Sequence, residues 1–105
     1  MIVLIQGESL QIPATVTGTK ASITALSCVI KKSVRGEIPT ESATTVATLL
    51  VQDFTSAEIT DGYLFYLTNT SALTPGTYYV NYQYTISGKT YKGDPMKVLV
   101  KEGVI

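Results

Sequence analysis

The residues able to carry out chemistry are few. Of the 105 residues, none is histidine and one, Cys28, is cysteine. Without imidazole, Ser-His-Asp and Cys-His nucleophile arrangements are excluded within one chain. Histidine metal sites are excluded as well, and a lone thiolate cannot make a structural zinc site. The glycines are scattered as turn punctuation and form no phosphate-cradling loop. What remains is carboxylate chemistry. Asp53, Glu58 and Asp61 could bring three acidic side chains to one loop, the donor type that calcium takes. They lack the dense Asp/Asn spacing of calcium loops, and turn and cap roles account for them. Asn69-Thr70-Ser71 matches the glycosylation sequon and is read as an ordinary loop. The expectation is a protein that is not an enzyme, with no metal, no cofactor and no small-molecule substrate.

Charge points the same way. Eight Lys+Arg balance eight Asp+Glu, giving a formal net charge of zero. Nucleic-acid binding draws on a basic surface that displaces counterions, and the one basic cluster, Lys31-Lys32 with Arg35, reads as a solvated strand end. The apolar start Met1–Ile5 is too short for a signal segment and lacks a basic leader. No run approaches the roughly 20 apolar residues that span a bilayer. No nucleic-acid or membrane partner is therefore expected, and folding is expected in the cytoplasm. With 45% apolar and 15% charged residues, the composition is that of a folded globular chain, a single domain over residues 1–105.

The elements that would position any site are strands. Sixteen threonines and seven tyrosines suit a pleated, half-buried surface. Apolar residues recur with a period of two. Leu10, Ile12, Ala14 and Val16 share a face, with Pro13 marking an edge strand or bulge. Leu26, Cys28 and Ile30 alternate with Ser27, Val29 and Lys31. A polar stretch from Ser33 to Ser42 reads as a loop reaching outward. Thr44 to Phe54, rich in β-branched and apolar residues, reads as a strand covered on both faces. Ser56 to Gly62 could hold one helical turn. Tyr63, Phe65 and Leu67 form the next strand. Tyr78, Val80, Tyr82, Tyr84 and Ile86 share one face of the longest strand. After a hairpin at Ser87-Gly88, a return strand is interrupted at Gly93-Asp94-Pro95. About seven strands at this spacing suggest a sandwich or barrel.

Leu73-Thr74-Pro75-Gly76-Thr77-Tyr78 is the most specific short pattern. In immunoglobulin-like domains a tyrosine opening a strand hydrogen-bonds back across the preceding corner. Leu73, Pro75, Gly76 and Tyr78 would form that corner here. The position two residues beyond the tyrosine, held by cysteine in antibody domains, is Val80. Cys28 lies near where the first antibody cysteine would be, and is read as a small core residue facing Val80. The expected fold is all-β, an immunoglobulin-like sandwich of about seven antiparallel strands with Greek-key connections.

Five segments taken together carry a wider likeness. They are Gly7-Glu8-Ser9 through Val16, Ala25 to Lys32, Asp61 to Leu67, Leu73 to Tyr84, and Gly93-Asp94-Pro95-Met96-Lys97-Val98-Leu99-Val100. The chain resembles small β-sandwich virion proteins of tailed bacteriophages, and in particular the N-terminal domain of phage baseplate upper proteins. The resemblance implies a structural role in the virion, attaching to other virion proteins and to copies of itself. The chain stops after the sandwich with no downstream fibre region, which favours an accessory or assembly part. The residues expected at interfaces are the apolar termini, Ile2, Val3, Leu4, Ile5, Val104 and Ile105, and the two tyrosines off the core face, Tyr66 and Tyr79. The loop from Lys31 to Ser42 is expected to add contacts. Two rival readings are a bacterial adhesin module and a carbohydrate-binding sandwich using tyrosine platforms.

Overall fold

The computed structural model describes residues 1–16, 20–55 and 62–104. Its strands are β1 (Ile2–Ile5), β2 (Leu10–Thr15), β3 (Ile23–Lys32), β4 (Thr45–Thr48), β5 (Leu50–Phe54), β6 (Gly62–Leu67), β7 (Gly76–Ile86), β8 (Lys89–Lys92) and β9 (Met96–Lys101). The helical content among the described residues is one 3₁₀ turn, Lys20–Ser22. The chain is therefore all-β, as its threonine- and tyrosine-rich alternation predicts.

Two sheets form. The larger has the order β1-β9-β7-β3-β4, with β8 beside β7, and the smaller has the order β2-β6-β5. Burial follows the period of two. On β2, Leu10, Ile12 and Ala14 are buried while Gln11, Pro13 and Thr15 are exposed. On β7, Tyr78, Val80 and Tyr84 are buried. The core joins the inner faces of both sheets, from Leu10, Ile12 and Phe65 on one side to Cys28, Ile30, Val98 and Val100 on the other. The rings of Phe65 and Tyr82 stack across it at 5.4 Å. Pro13 sits on β2, which among the described residues pairs only with β6 and so is an edge strand, the place where a sheet tolerates a residue with no N–H to donate.

Several expectations are corrected. Nine strands are present among the described residues rather than about seven, and not all are antiparallel. β1 pairs in parallel with β9, because the first and last strands run the same way along one side of the sheet. β8 and β9 lie one after the other along the same side of β7. They are one return strand broken at Gly93-Asp94-Pro95. The segment from Thr44 to Phe54 is not a strand covered on both faces. It divides at Leu49, which is buried, so that β4 ends in the larger sheet and β5 begins in the smaller. Both halves are edge strands, and Val46, Leu50 and Val51 are exposed. An apolar, β-branched run serves an edge as readily as a centre, because propensity reports pleated geometry and not burial. Cys28 does not face Val80 across the sandwich. It is buried on β3 in the same sheet, in register with Tyr82, while Val80 pairs with Ile30. The helical turn expected over 56–62 lies almost wholly outside the described residues, and Gly62 itself opens β6.

Candidate functional site

The corner before β7 is built as its residue types allow. Tyr78 is 1% exposed, and its hydroxyl donates to the carbonyl oxygen of Thr74 at 2.6 Å. The phenol thus places a ring in the core and a donor at its rim. Leu73 is buried beside it, and Pro75 is exposed on the loop. Gly76 has φ +154°, a backbone state that side-chain-bearing residues rarely adopt. Lys32 covers the outside. Its ammonium donates to Thr74 Oγ1 at 3.1 Å and lies 5.9 Å from the Tyr78 ring centre.

A second polar knot, not foreseen from the sequence, ties this corner to the turn after β1. Thr70 is fully buried. Its hydroxyl donates to the Glu8 carbonyl at 2.6 Å and accepts the Gly7 N–H at 3.2 Å. The Gln6 side-chain amide donates to the carbonyls of Ser71 and Leu73. Asn69, of the sequon, accepts the Ser71 N–H through its own side chain. This triplet is thus a structural turn whose threonine is occupied by the fold.

The terminal segments divide sharply. Leu4, expected at an interface, is in the core, and Ile2 packs against it. The pleat sends alternate side chains to opposite faces, so two of the four β1 residues go inward. Val3 and Ile5 point the other way, 48% and 44% exposed. Leu99, in register with Val3, shares their face half-buried. Val104 is fully exposed, and Ile105 lies outside the described residues. The open edge of β1 is partly closed. The Gln6 N–H bonds Lys101 on β9. One residue earlier, the Ile5 N–H donates to the Glu8 carboxylate at 2.6 Å, and the Ile5 carbonyl accepts the Glu8 N–H. Backbone groups alternate in direction along a strand, so Val3 is left, among the described residues of β1, with its N–H and C=O facing outward.

Three of the other edges, those of β2, β8 and β5, carry familiar guards against strand addition, and the short edge strand β4 carries none of them. β2 has Pro13, and β8 has Lys89 and Lys92. β5 carries the charge of Asp53, in register with Tyr63 and exposed, where it pairs with Lys20 at 3.1 Å. Lys20 also lies over the Tyr63 ring and donates to the Gly62 carbonyl. Asp53 is thereby accounted for. Glu58 and Asp61, the other two members of the acidic cluster, lie outside the described residues. Among the described residues no group of His, Cys, Asp and Glu is arranged to hold a metal ion. Burial pushes the Cys28 thiol up to about 12 from its ordinary 9.0, so the thiolate that would act as nucleophile or ligand is suppressed near neutral pH.

The outer face of the larger sheet holds a groove of about 430 Å³. Its floor is the outward row of β3 (Ser27, Val29, Lys31) and of β7 (Tyr79, Asn81, Gln83), and its walls are Ile38–Glu41 and the Lys92–Pro95 break. The 33–44 loop does not simply reach outward as expected. Lys31 folds its second half back over the sheet by donating to the carbonyls of Thr40 and Glu41, and Lys92 meets Glu41 at 3.4 Å. Only the tip projects. There Arg35 and Gly36 take positive φ and leave Val34 and Ile38 exposed. Tyr79 is thus on the groove floor. Tyr66 lies far from it, half-buried on the outer face of the smaller sheet beside Leu50. No helix among the described residues is long and apolar enough to cross a membrane. No protein-family model and no curated protein matches this chain.

Proposed function

We propose that this chain is an immunoglobulin-like module that works by protein–protein contact in a tailed-phage virion, joining other virion proteins and copies of itself, without catalysis. Support for the fold comes from strand order. In an immunoglobulin sandwich, strands B, E and D lie together, opposite C, F and G. β2-β6-β5 take the first set of places, and β3, β7 and the broken β8/β9 strand take the second. β4 then extends the sheet beyond C. Tyr78 stands near the start of the F-like strand, where the corner tyrosine belongs. In this frame Cys28 falls on the C-like strand, which carries the tryptophan of antibody domains.

The observation that carries the contact role is the outward face of the β1/β9 pair. Val3, Ile5 and the half-buried Leu99 share that face with Lys97 and Lys101, at the edge of a sheet and beside the outward-facing N–H and C=O of Val3. Clustered exposed apolar groups at such an edge mark association surfaces. The test is size-exclusion chromatography with light scattering, on the chain alone and mixed with recombinant head, tail and baseplate proteins. Association is expected, and it should be lost in the double variant Val3→Lys, Ile5→Lys while the circular-dichroism spectrum stays unchanged. A strict monomer that captures none of these proteins overturns the reading, as does association that survives both lysines.

A further inference from the structure

We infer that the groove on the outer face of the larger sheet is a saccharide-binding site. The proposal goes beyond the contact role and does not rest on it, since Val3 and Ile5 are not among the groove's lining residues. At about 430 Å³ the groove falls in the range of roughly 300–1,000 Å³ typical of small-ligand sites.

Its floor carries the groups that recognise hydroxyl-rich rings. The register places Gln83 beside Ser27, Asn81 beside Val29, and Tyr79 beside Lys31. Carboxamides give a donor and an acceptor side by side, the match for adjacent sugar hydroxyls. The Ser27 hydroxyl, the Gln83 amide and the Tyr79 hydroxyl have no protein hydrogen-bond partner among the described residues, so a ligand would displace only water from them. The Asn81 amide donates to the Gly93 carbonyl, which fixes its orientation. Tyrosine adds an aromatic surface for the apolar C–H face of a pyranose at small entropic cost. From the Gln83 row to the Tyr79 row is four strand residues, about 14 Å, enough for a short oligosaccharide.

Other ligand classes fit less well. Strand addition needs an open edge, and this floor is the face of paired central strands. A helix would need an unbroken apolar trough, whereas Ser27, Lys31, Asn81 and Gln83 interrupt this floor. Lys31 adds a preference. Its ammonium is held by two backbone carbonyls and, among the described residues, by no carboxylate, so its charge favours an acidic sugar. The Glu41–Lys92 pair ties one wall to the other. Both side chains are well exposed, and exposed pairs contribute little, so the tie can yield to a ligand.

The test is an amide chemical-shift titration of the labelled chain with two probes at millimolar concentration, chitotriose as a neutral saccharide and trigalacturonate as an acidic one. Shifts are expected in 27–31, 38–41 and 79–83, at lower concentration for trigalacturonate. Gln83→Ala and Tyr79→Ala should each weaken binding about tenfold with the dispersed spectrum of the folded chain retained. Lys31→Gln should erase the preference for the acidic probe. No shift with either probe, shifts mapping elsewhere, or affinities unchanged in both alanine variants overturns the proposal.

Discussion

Tyr78 shows how one side chain can fix the geometry of a corner. Its ring fills the core, and its hydroxyl reaches the Thr74 carbonyl four residues back. Tyr78→Phe keeps the ring and removes the donor. We expect a loss of about 1–2 kcal/mol, read as a lower urea midpoint with an unchanged slope. An unaltered midpoint would mean that water replaces the hydroxyl without cost. This residue was legible because its partner is local and because Leu73-Thr74-Pro75-Gly76 announces a tight turn. Thr70 was not legible. Its hydroxyl bonds a carbonyl 62 residues away, and nothing in a lone threonine of a polar loop reports full burial.

At the scale of elements, turn chemistry and alternation were readable. Ser87 and Gly88 both adopt positive φ, the requirement of the tight hairpin turn, and they join β7 to β8. The break between β8 and β9 has a cause that only packing reveals. A Cβ on Gly93 would come within 2.3 Å of the Tyr82 ring, and the Gly93 N–H bonds the Tyr82 carbonyl. The glycine lets an aromatic ring of the neighbouring strand lie against bare backbone. Gly93→Ala should cost about 1–3 kcal/mol. Combining it with Tyr82→Val should give less than the sum of the two single losses, a coupling measurable in a double-mutant cycle. Strict additivity would show that the contact does not matter. The segment from Thr44 to Phe54 misled the reading because it does not alternate. Its apolar density suggested a doubly covered strand, but it is spent on two edges and one buried pivot, Leu49.

The whole molecule has a buried titratable group whose effect on stability is global. Burial holds the Cys28 thiol neutral up to about 12, against an ordinary 9.0. Tyr82 is raised as well, by burial first and then by Tyr84, Asp94 and Cys28. Below the ordinary thiol value both folded and unfolded chains keep the proton, and stability is indifferent to pH. Above it the unfolded chain ionises while the folded one does not, so stability falls as pH rises through that window. Urea midpoints should be flat near about pH 8 and drop toward about pH 11, with a shallower drop in Cys28→Ala. A variant that matches the wild-type slope would shift the cause to the tyrosines.

Read as a linear string, the chain already declares itself a β protein with a tyrosine-anchored corner, and it lacks the imidazole and paired thiols of common catalytic and metal sites. Those conclusions rest on composition, a period of two and contacts within a few residues, all of which a linear string records. The tertiary structure alone decided which apolar residues of β1 are core and which are surface. It also decided where the chain changes sheets and that the 33–44 loop folds over a walled groove. Those outcomes depend on the register between strands distant in sequence, and on hydrogen bonds beyond the local turn, from those of Lys31 to Thr40 and Glu41 to that of Thr70 to Glu8, 62 residues away. No periodicity along one segment can encode which distant segment it will meet.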